Sequence, residues 1–240
     1  MQFPIDVTFD FRSDTPPGRD PDVLSPRLRA YHQILWSKPL PNGTFFQLHD
    51  DTAGVYLHHR SELGEFSLSS DSVIPTFRKD PSVARFRDQM PADVLEDFLR
   101  LSYTIGGMMV FPGNRLDGKT TINAARGFHP RIKDRFDLTV ECIRRHYSND
   151  ASPLSETLAR YSRFFELFNN FAGYVEFFLL QDLVNGDCSA VRFSLPFYGF
   201  DKSPLPDSLE AYRSYMIHSI EFIESRNRRI LESRLAVAVE

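Results

Sequence analysis

The chain has 240 residues, of which 42% are hydrophobic and 25% charged, the balance of a folded protein rather than a disordered one. That length accommodates one sizeable core or two small ones. A formal net charge of −4 with a pI near 6.0 excludes a general affinity for nucleic acid or anionic membrane, so any basic site must be local.

Residues 3–11 predict a first strand, and Ser13-Asp14-Thr15-Pro16-Pro17-Gly18 is too rich in breakers for a helix. Ser25-Pro26 has the form of an N-cap with proline at the first helical position, and Leu28, Tyr31, His32 and Leu35 mark one face of a helix reaching Trp36. Residues 44–49 and 55–59 flank Asp50-Asp51-Thr52-Ala53-Gly54 and predict a β-hairpin, with 65–68 and 72–76 extending its sheet. Residues 92–102 have helical period, whereas 103–111 form a continuous apolar run with two glycines, which predicts a buried central strand. Helices are expected at 119–125, at 132–147, and from Ser152-Pro153 through Phe168. Another, apolar on nearly all sides, is expected at 171–184, and a long one from 208 to 235, with a strand at 191–195 between them. The fold class is α+β: short N-terminal strands and one central strand packed against a predominantly helical C-terminal half. With no repeat, low-complexity tract or linker, residues 1–240 are expected to form a single globular domain, strand-rich to 111 and helical from 112.

The aromatic content, 22 Phe, 9 Tyr and 1 Trp, predicts a core built largely of phenylalanine. Two cysteines, Cys142 and Cys188, are too few for a disulfide framework and have no zinc-ligand spacing. The N-terminus lacks the basic and apolar regions of a signal peptide, and no apolar run approaches the roughly 20 residues of a membrane helix. A cytoplasmic protein with no membrane association is expected.

Residues 111–147 carry eight basic and four acidic side chains, locally +4 in a chain of −4, with glycines at 113, 118 and 127 among them. Glycines allow close backbone approach to a ligand, and the charge suits a phosphate or another anion. Asn114, Arg115, Lys119, Thr120, Asn123 and Arg126 are the candidate ligand-binding residues, and Asp117 and His129 the first choices for an acid/base group. His129 precedes Pro130, which favours an extended or turn conformation with an accessible ring. Residues 113–120 also fit the phosphate-loop pattern, with Lys119 placed for a γ-phosphate and Thr120 for Mg²⁺. Against that stand Pro112, which removes a donor, and the helical sequence that follows, since a phosphate loop belongs to a parallel sheet.

Weaker constellations remain. Cys142 and His146 lie one helical turn apart, the spacing of a thiolate–imidazolium pair, but Cys142 adjoins the apolar stripe. His49, Asp50, Asp51, His58 and His59 bracket the expected hairpin turn, but alternation sends His58 and His59 to opposite faces, and no metal site is expected. Glu221, Glu224, Arg226, Arg228 and Arg229 read as surface ion pairs on the last helix.

The stretches FDFRSDTPPGRDPD (9–22), LWSKPLPNG (35–43), GGMMVFPGNRLDGKTTINAARGF (106–128), DRFDLTVECIRRHY (134–147) and GYVEFFLLQDLV (173–184) together resemble an uncharacterised bacterial family, a domain of unknown function of about this length. The resemblance covers nearly the whole chain and implies a bacterial intracellular protein with a single domain. It implies no activity, cofactor or catalytic residue. Three functions are therefore expected in order: a phosphate-bearing ligand, nucleotide or nucleic acid, bound at residues 113–129; a homodimer or protein-partner interface using the Phe-rich helices (Phe164, Phe165, Phe168, Phe171, Phe177, Phe178); and an NTPase at 113–120.

Overall fold

Capping decides where the first helices begin. The computed structural model describes residues 4–78 and 80–237, without the side chains of Asp117 and residues 234–237. The Asp20 carboxylate accepts the Asp22 N–H at the start of α1 (Pro21–Leu24), and Ser25 accepts the Leu28 N–H at 3.0 Å at the start of α2 (Pro26–Trp36). Each has proline at its first position, where the missing N–H is not needed. No strand forms among residues 4–11, and Phe3 lies outside the described residues. Asp6 and Asp10 instead accept the N–H groups of Thr8 and Arg12, two residues on. Such local bonds compete with a ladder, and a 3₁₀ turn spans Phe11–Asp14.

β1 (Lys38–Pro39) and β2 (Phe45–Phe46) make a short antiparallel ribbon. β3 (Leu57–Ser61), β4 (Gly64–Ser72) and β5 (Met108–Pro112) form a second sheet in the order β3-β4-β5, antiparallel throughout. The hairpin expected between 44–49 and 55–59 shrinks to a single bridge, His49↔His58, because β3 pairs along its whole length with β4 across the turn at Glu62-Leu63. β5 is buried at every position, as expected, but the centre of the ladder is β4.

The helical part comprises α3 (Pro81–Arg87), α4 (Ala92–Ser102), α5 (Ile122–Phe128), α6 (Phe136–Tyr147), α7 (Ser155–Arg160), α8 (Ser162–Glu166), α9 (Phe171–Phe177) and α10 (Leu209–Val237). α6 starts later than its periodicity suggested, because Lys133 and Asp134 take φ of 49° and 67°. α9 stops at Phe177, with Leu179 at φ 56°, so the expected helix to 184 becomes a 3₁₀ turn, Gln181–Leu183. The strand expected at 191–195 contributes only the bridge Val184↔Val191. The result is an α+β fold with a helical C-terminal half and two small antiparallel sheets.

Buried side chains from both halves join one hydrophobic cluster. At its heart Trp36, Phe168 and Tyr174 surround Phe178 with ring centroids 4.9–5.2 Å apart, the offset and edge-on separations aromatic rings prefer. None of the six phenylalanines expected to form a surplus apolar face exceeds 6% exposure. They pack inside the fold, so these six do not supply the surplus apolar face expected of them.

α10 is pinned to the segment before β5. Asn227 accepts the Gly106 N–H at 2.8 Å and donates to Thr104 Oγ1 at 3.1 Å. A Cβ on Gly106 would meet the Ile223 carbonyl at 2.5 Å, which is why no larger residue fits there. Arg226, read from sequence as part of a surface ion pair, is instead fully buried, donating to the carbonyls of Gly106, Met108 and Phe178.

Candidate anion site between α5 and α7

Helix α7 packs on α5 and leaves a solvent-open trough of about 500 Å³. Lys119, Thr120, Phe128, His129, Thr157 and Arg160 are among the residues that line it. Local turns build the loop side. A 3₁₀ turn at Leu116–Gly118 ends with Gly118 at φ 68°, and the Lys119 N–H closes it on the Leu116 carbonyl at 3.0 Å. Thr121 then caps α5. On the other side the Arg160 guanidinium donates to the Thr120 carbonyl at 2.6 Å and to the Glu156 carbonyl at 3.2 Å. Carbonyls fix a guanidinium in place without neutralising its charge, so a cation is held beside the cavity.

His129 follows α5 as its C-cap, and its Nδ1 accepts the Arg131 N–H at 3.1 Å. In the neutral ring the proton therefore sits on Nε2. Burial, reinforced by Arg131, pushes its pKa below the ordinary value. Two cations, Lys119 and Arg160, border the trough, and its described lining contains no carboxylate.

Of the residues singled out by sequence, Lys119, Thr120 and His129 come together here. The others do not. Asn123 turns toward the sheet, donating to Ser69 Oγ at 3.1 Å and the Ser70 carbonyl at 3.0 Å. Asn114 is held through its carbonyl by the Tyr161 hydroxyl at 2.8 Å, and Arg115 is exposed outside the trough lining. The Asp117 side chain lies outside the described residues. Arg126 is the clearest correction: its side chain is fully buried, paired with Asp71 and Asp134 at 2.5 Å each and bonded to Thr139 Oγ1 at 3.1 Å. It faces the core because α5 presents it to β4, opposite Asp71.

The local charge of residues 111–147 is largely consumed in the same way. Arg135 and Asp137 form a buried pair at 2.5 Å that also holds the Pro204 carbonyl and the Ser194 N–H. Arg144 and Arg145 both bind Glu141; burial works against that carboxylate's charge, but the two guanidinium groups more than offset it and keep its pKa below the ordinary value. Lys133 pairs with Asp80.

Beside the Arg126 cluster, Asp22 accepts the Ser72 N–H through Oδ2, while its Oδ1 is shut off from solvent with no partner. Burial first, and Asp20 second, raise its pKa to about 7. An acid whose folded pKa is raised contributes stability at low pH and loses it as pH rises through the folded value. Asp22→Asn should therefore gain thermal stability relative to the native chain at about pH 8 compared with about pH 5. A melting-temperature difference identical at both pH values would refute this assignment.

The phosphate-loop reading needs a parallel strand entering the loop, but β5 runs antiparallel to β4. Gly113, at the mouth of that loop, is packed against Ser69, 2.9 Å from where a Cβ would sit, rather than opening on an anion cradle. Cys142 is fully buried and its thiol is pushed up to about 12 by burial, which suits core packing rather than a thiolate. His58 Nε2 lies 3.4 Å from Asp51, whereas His59 is turned inward to the Gln47 carbonyl and Ser61. Among the described residues no group of three or more His, Cys, Asp or Glu is placed to hold a metal ion.

Arg160 and Phe128 escaped the sequence reading. Arg160 lies 40 residues from Thr120 and carries no local motif; only the packing of α7 on α5 brings it in. Phe128, 87% exposed at the end of α5, is visible in sequence only as one more aromatic in a Phe-rich chain.

Fold and site together define an α+β protein with a solvent-open trough bordered by cations. The chain belongs to the family of unknown function DUF6994, whose model matches residues 5–230. No curated protein and no solved structure matches it. Among the described residues no helix is long and apolar enough to cross a membrane.

Proposed function

We propose that the trough between α5 and α7 binds a phosphate-bearing ligand, a nucleotide or a nucleic-acid end. One observation carries the reading: a cavity of about 500 Å³ bordered by Lys119 and Arg160, with no carboxylate in its described lining. Lys119 supplies an exposed ammonium and Arg160 a guanidinium already held by the Thr120 carbonyl, so part of the ordering cost is met before the ligand arrives. The hydroxyls of Thr120 and Thr157 and the His129 ring offer further polar contacts at the same cavity. The setting we infer is a reducing bacterial cytoplasm, consistent with two free thiols.

Thermal denaturation across a panel of nucleotides tests this reading. A ligand at a hundred times its Kd should add about 2.7 kcal/mol of stability, and the shift should vanish in the Lys119→Ala/Arg160→Ala double variant. A shift that survives both substitutions would place the ligand elsewhere. A flat panel would remove the proposal.

A further inference from the structure

A second, much smaller recess of about 10 Å³ has Arg131, Tyr198 and Lys202 in its lining. The turn of residues 129–131 contributes to both, since His129 lines the first, Arg131 the second, and the Arg131 N–H donates to His129 Nδ1. Phe128 belongs to the lining of one and Tyr198 to that of the other. At 87% and 79% exposure they are the two most exposed aromatic side chains among the described residues. Most of the other described rings are buried or half-buried, whereas these two stand in water, each beside cations.

Each recess has one guanidinium held in the same way, whereas Arg135 in the second is neutralised by Asp137. The Arg131 guanidinium is held by the Phe200 carbonyl at 2.5 Å, as Arg160 is held by that of Thr120. Both are positioned by neutral acceptors and keep their charge. Lys202 pairs with Asp201 at 3.5 Å, with both side chains exposed, an arrangement that contributes little and gives way readily to a phosphate. Exposed aromatic faces alternating with cations is the pattern that holds single-stranded nucleic acid, with phosphates on the cations and bases stacked on the rings.

We propose, resting on the phosphate reading above, that the ligand is a single-stranded nucleic acid crossing the 129–131 turn, one base stacked on Phe128 and a later one on Tyr198. A mononucleotide bound in the trough stacks on Phe128 alone, whereas a strand continues past the turn to Tyr198. A duplex keeps its bases stacked on one another and presents only backbone to these rings. Stacking accepts every base, so recognition is tolerant of sequence and confined to this face, in keeping with a chain of net charge −4.

Fluorescence anisotropy of the full chain with labelled ribo- and deoxyribo-oligonucleotides of increasing length, from the mononucleotide upward, tests the inference. Affinity should tighten once both rings are spanned, and single strands should bind more tightly than the matching duplex. Phe128→Ala and Tyr198→Ala should each weaken a spanning strand by roughly tenfold, and both positions are exposed enough for the fold to tolerate them. The Lys119-dependent affinity of a mononucleotide in the trough should depend on Phe128. If a mononucleotide binds in a Lys119-dependent way while length and Tyr198→Ala have no effect, the strand is wrong and the trough survives. Failure of every length to bind overturns both.

Discussion

Arg126→Ala should cost about 3–5 kcal/mol of folding stability, one of the two largest losses expected here from a charged side chain. The guanidinium is fully buried between Asp71 and Asp134 and also bonds Thr139 and two backbone carbonyls, those of Val73 and Asp134. Desolvation works against its charge, but the two carboxylates more than offset it and hold its pKa above the ordinary value. Truncation removes the cation and leaves Asp71, 21% exposed, without its counterion, while Asp134, 35% exposed, is compensated in part by water. Burial already pushes the Asp71 carboxyl well above its usual range, with Arg126 pulling it back. Without Arg126 that carboxyl protonates more readily still, so the loss should be smaller at about pH 5 than at about pH 8. Chemical denaturation at the two pH values measures it, and a loss under about 1 kcal/mol, the worth of an exposed ion pair, would mean the cluster is solvated.

Arg226→Ala should produce a loss of similar size, about 3–5 kcal/mol, for a different reason. This guanidinium is also fully buried, but its partners are the carbonyls of Gly106, Met108 and Phe178 and the face of Trp36, 5.6 Å away. Burial lowers its pKa to about 10, still charged at neutral pH. Truncation leaves three buried carbonyls unpaired, each costing about 1–3 kcal/mol, offset in part by the relief of burying a cation. No carboxylate is released, so the loss should be flat between about pH 5 and pH 7, unlike that of Arg126→Ala. Arg226→Lys should recover only part of it, because an ammonium cannot reproduce the planar fork that reaches across from α10 to β5 and to the end of α9. A strong pH dependence for Arg226→Ala over that range would contradict this account.

These two arginines also mark where sequence reasoning reached its limit. Both stood among other charges in helical segments, and nothing local separated them from Arg115 or Arg228, which are exposed. What separates them is the partner, Asp71 on β4 for one and the backbone around Gly106 for the other, and both partners are remote in sequence. Elements written in local chemistry were legible: the Ser25-Pro26 cap, the apolar period of α4, the all-apolar strand at Met108–Pro112 and the long last helix. Elements decided by competition between partners were not, as when β4 displaced 44–49 from pairing with β3. Breaks such as Leu179, an apolar residue at positive φ, carry no signal in composition. The trough was legible on its loop side, through Gly118, Lys119, Thr120 and His129, and illegible on its α7 side, where Arg160 arrives through tertiary packing alone.

The most direct test of the trough is calorimetric titration of a nucleoside monophosphate into the native chain, Arg160→Ala and Arg115→Ala. Arg115 belongs to the same basic stretch but is exposed outside the trough lining, so it controls for charge without geometry. Loss of one fixed phosphate contact should weaken Arg160→Ala at least tenfold, about 1.4 kcal/mol, with Arg115→Ala matching the native chain. Equal weakening in both variants would mean diffuse attraction to a basic loop, and undiminished binding in Arg160→Ala would contradict the site.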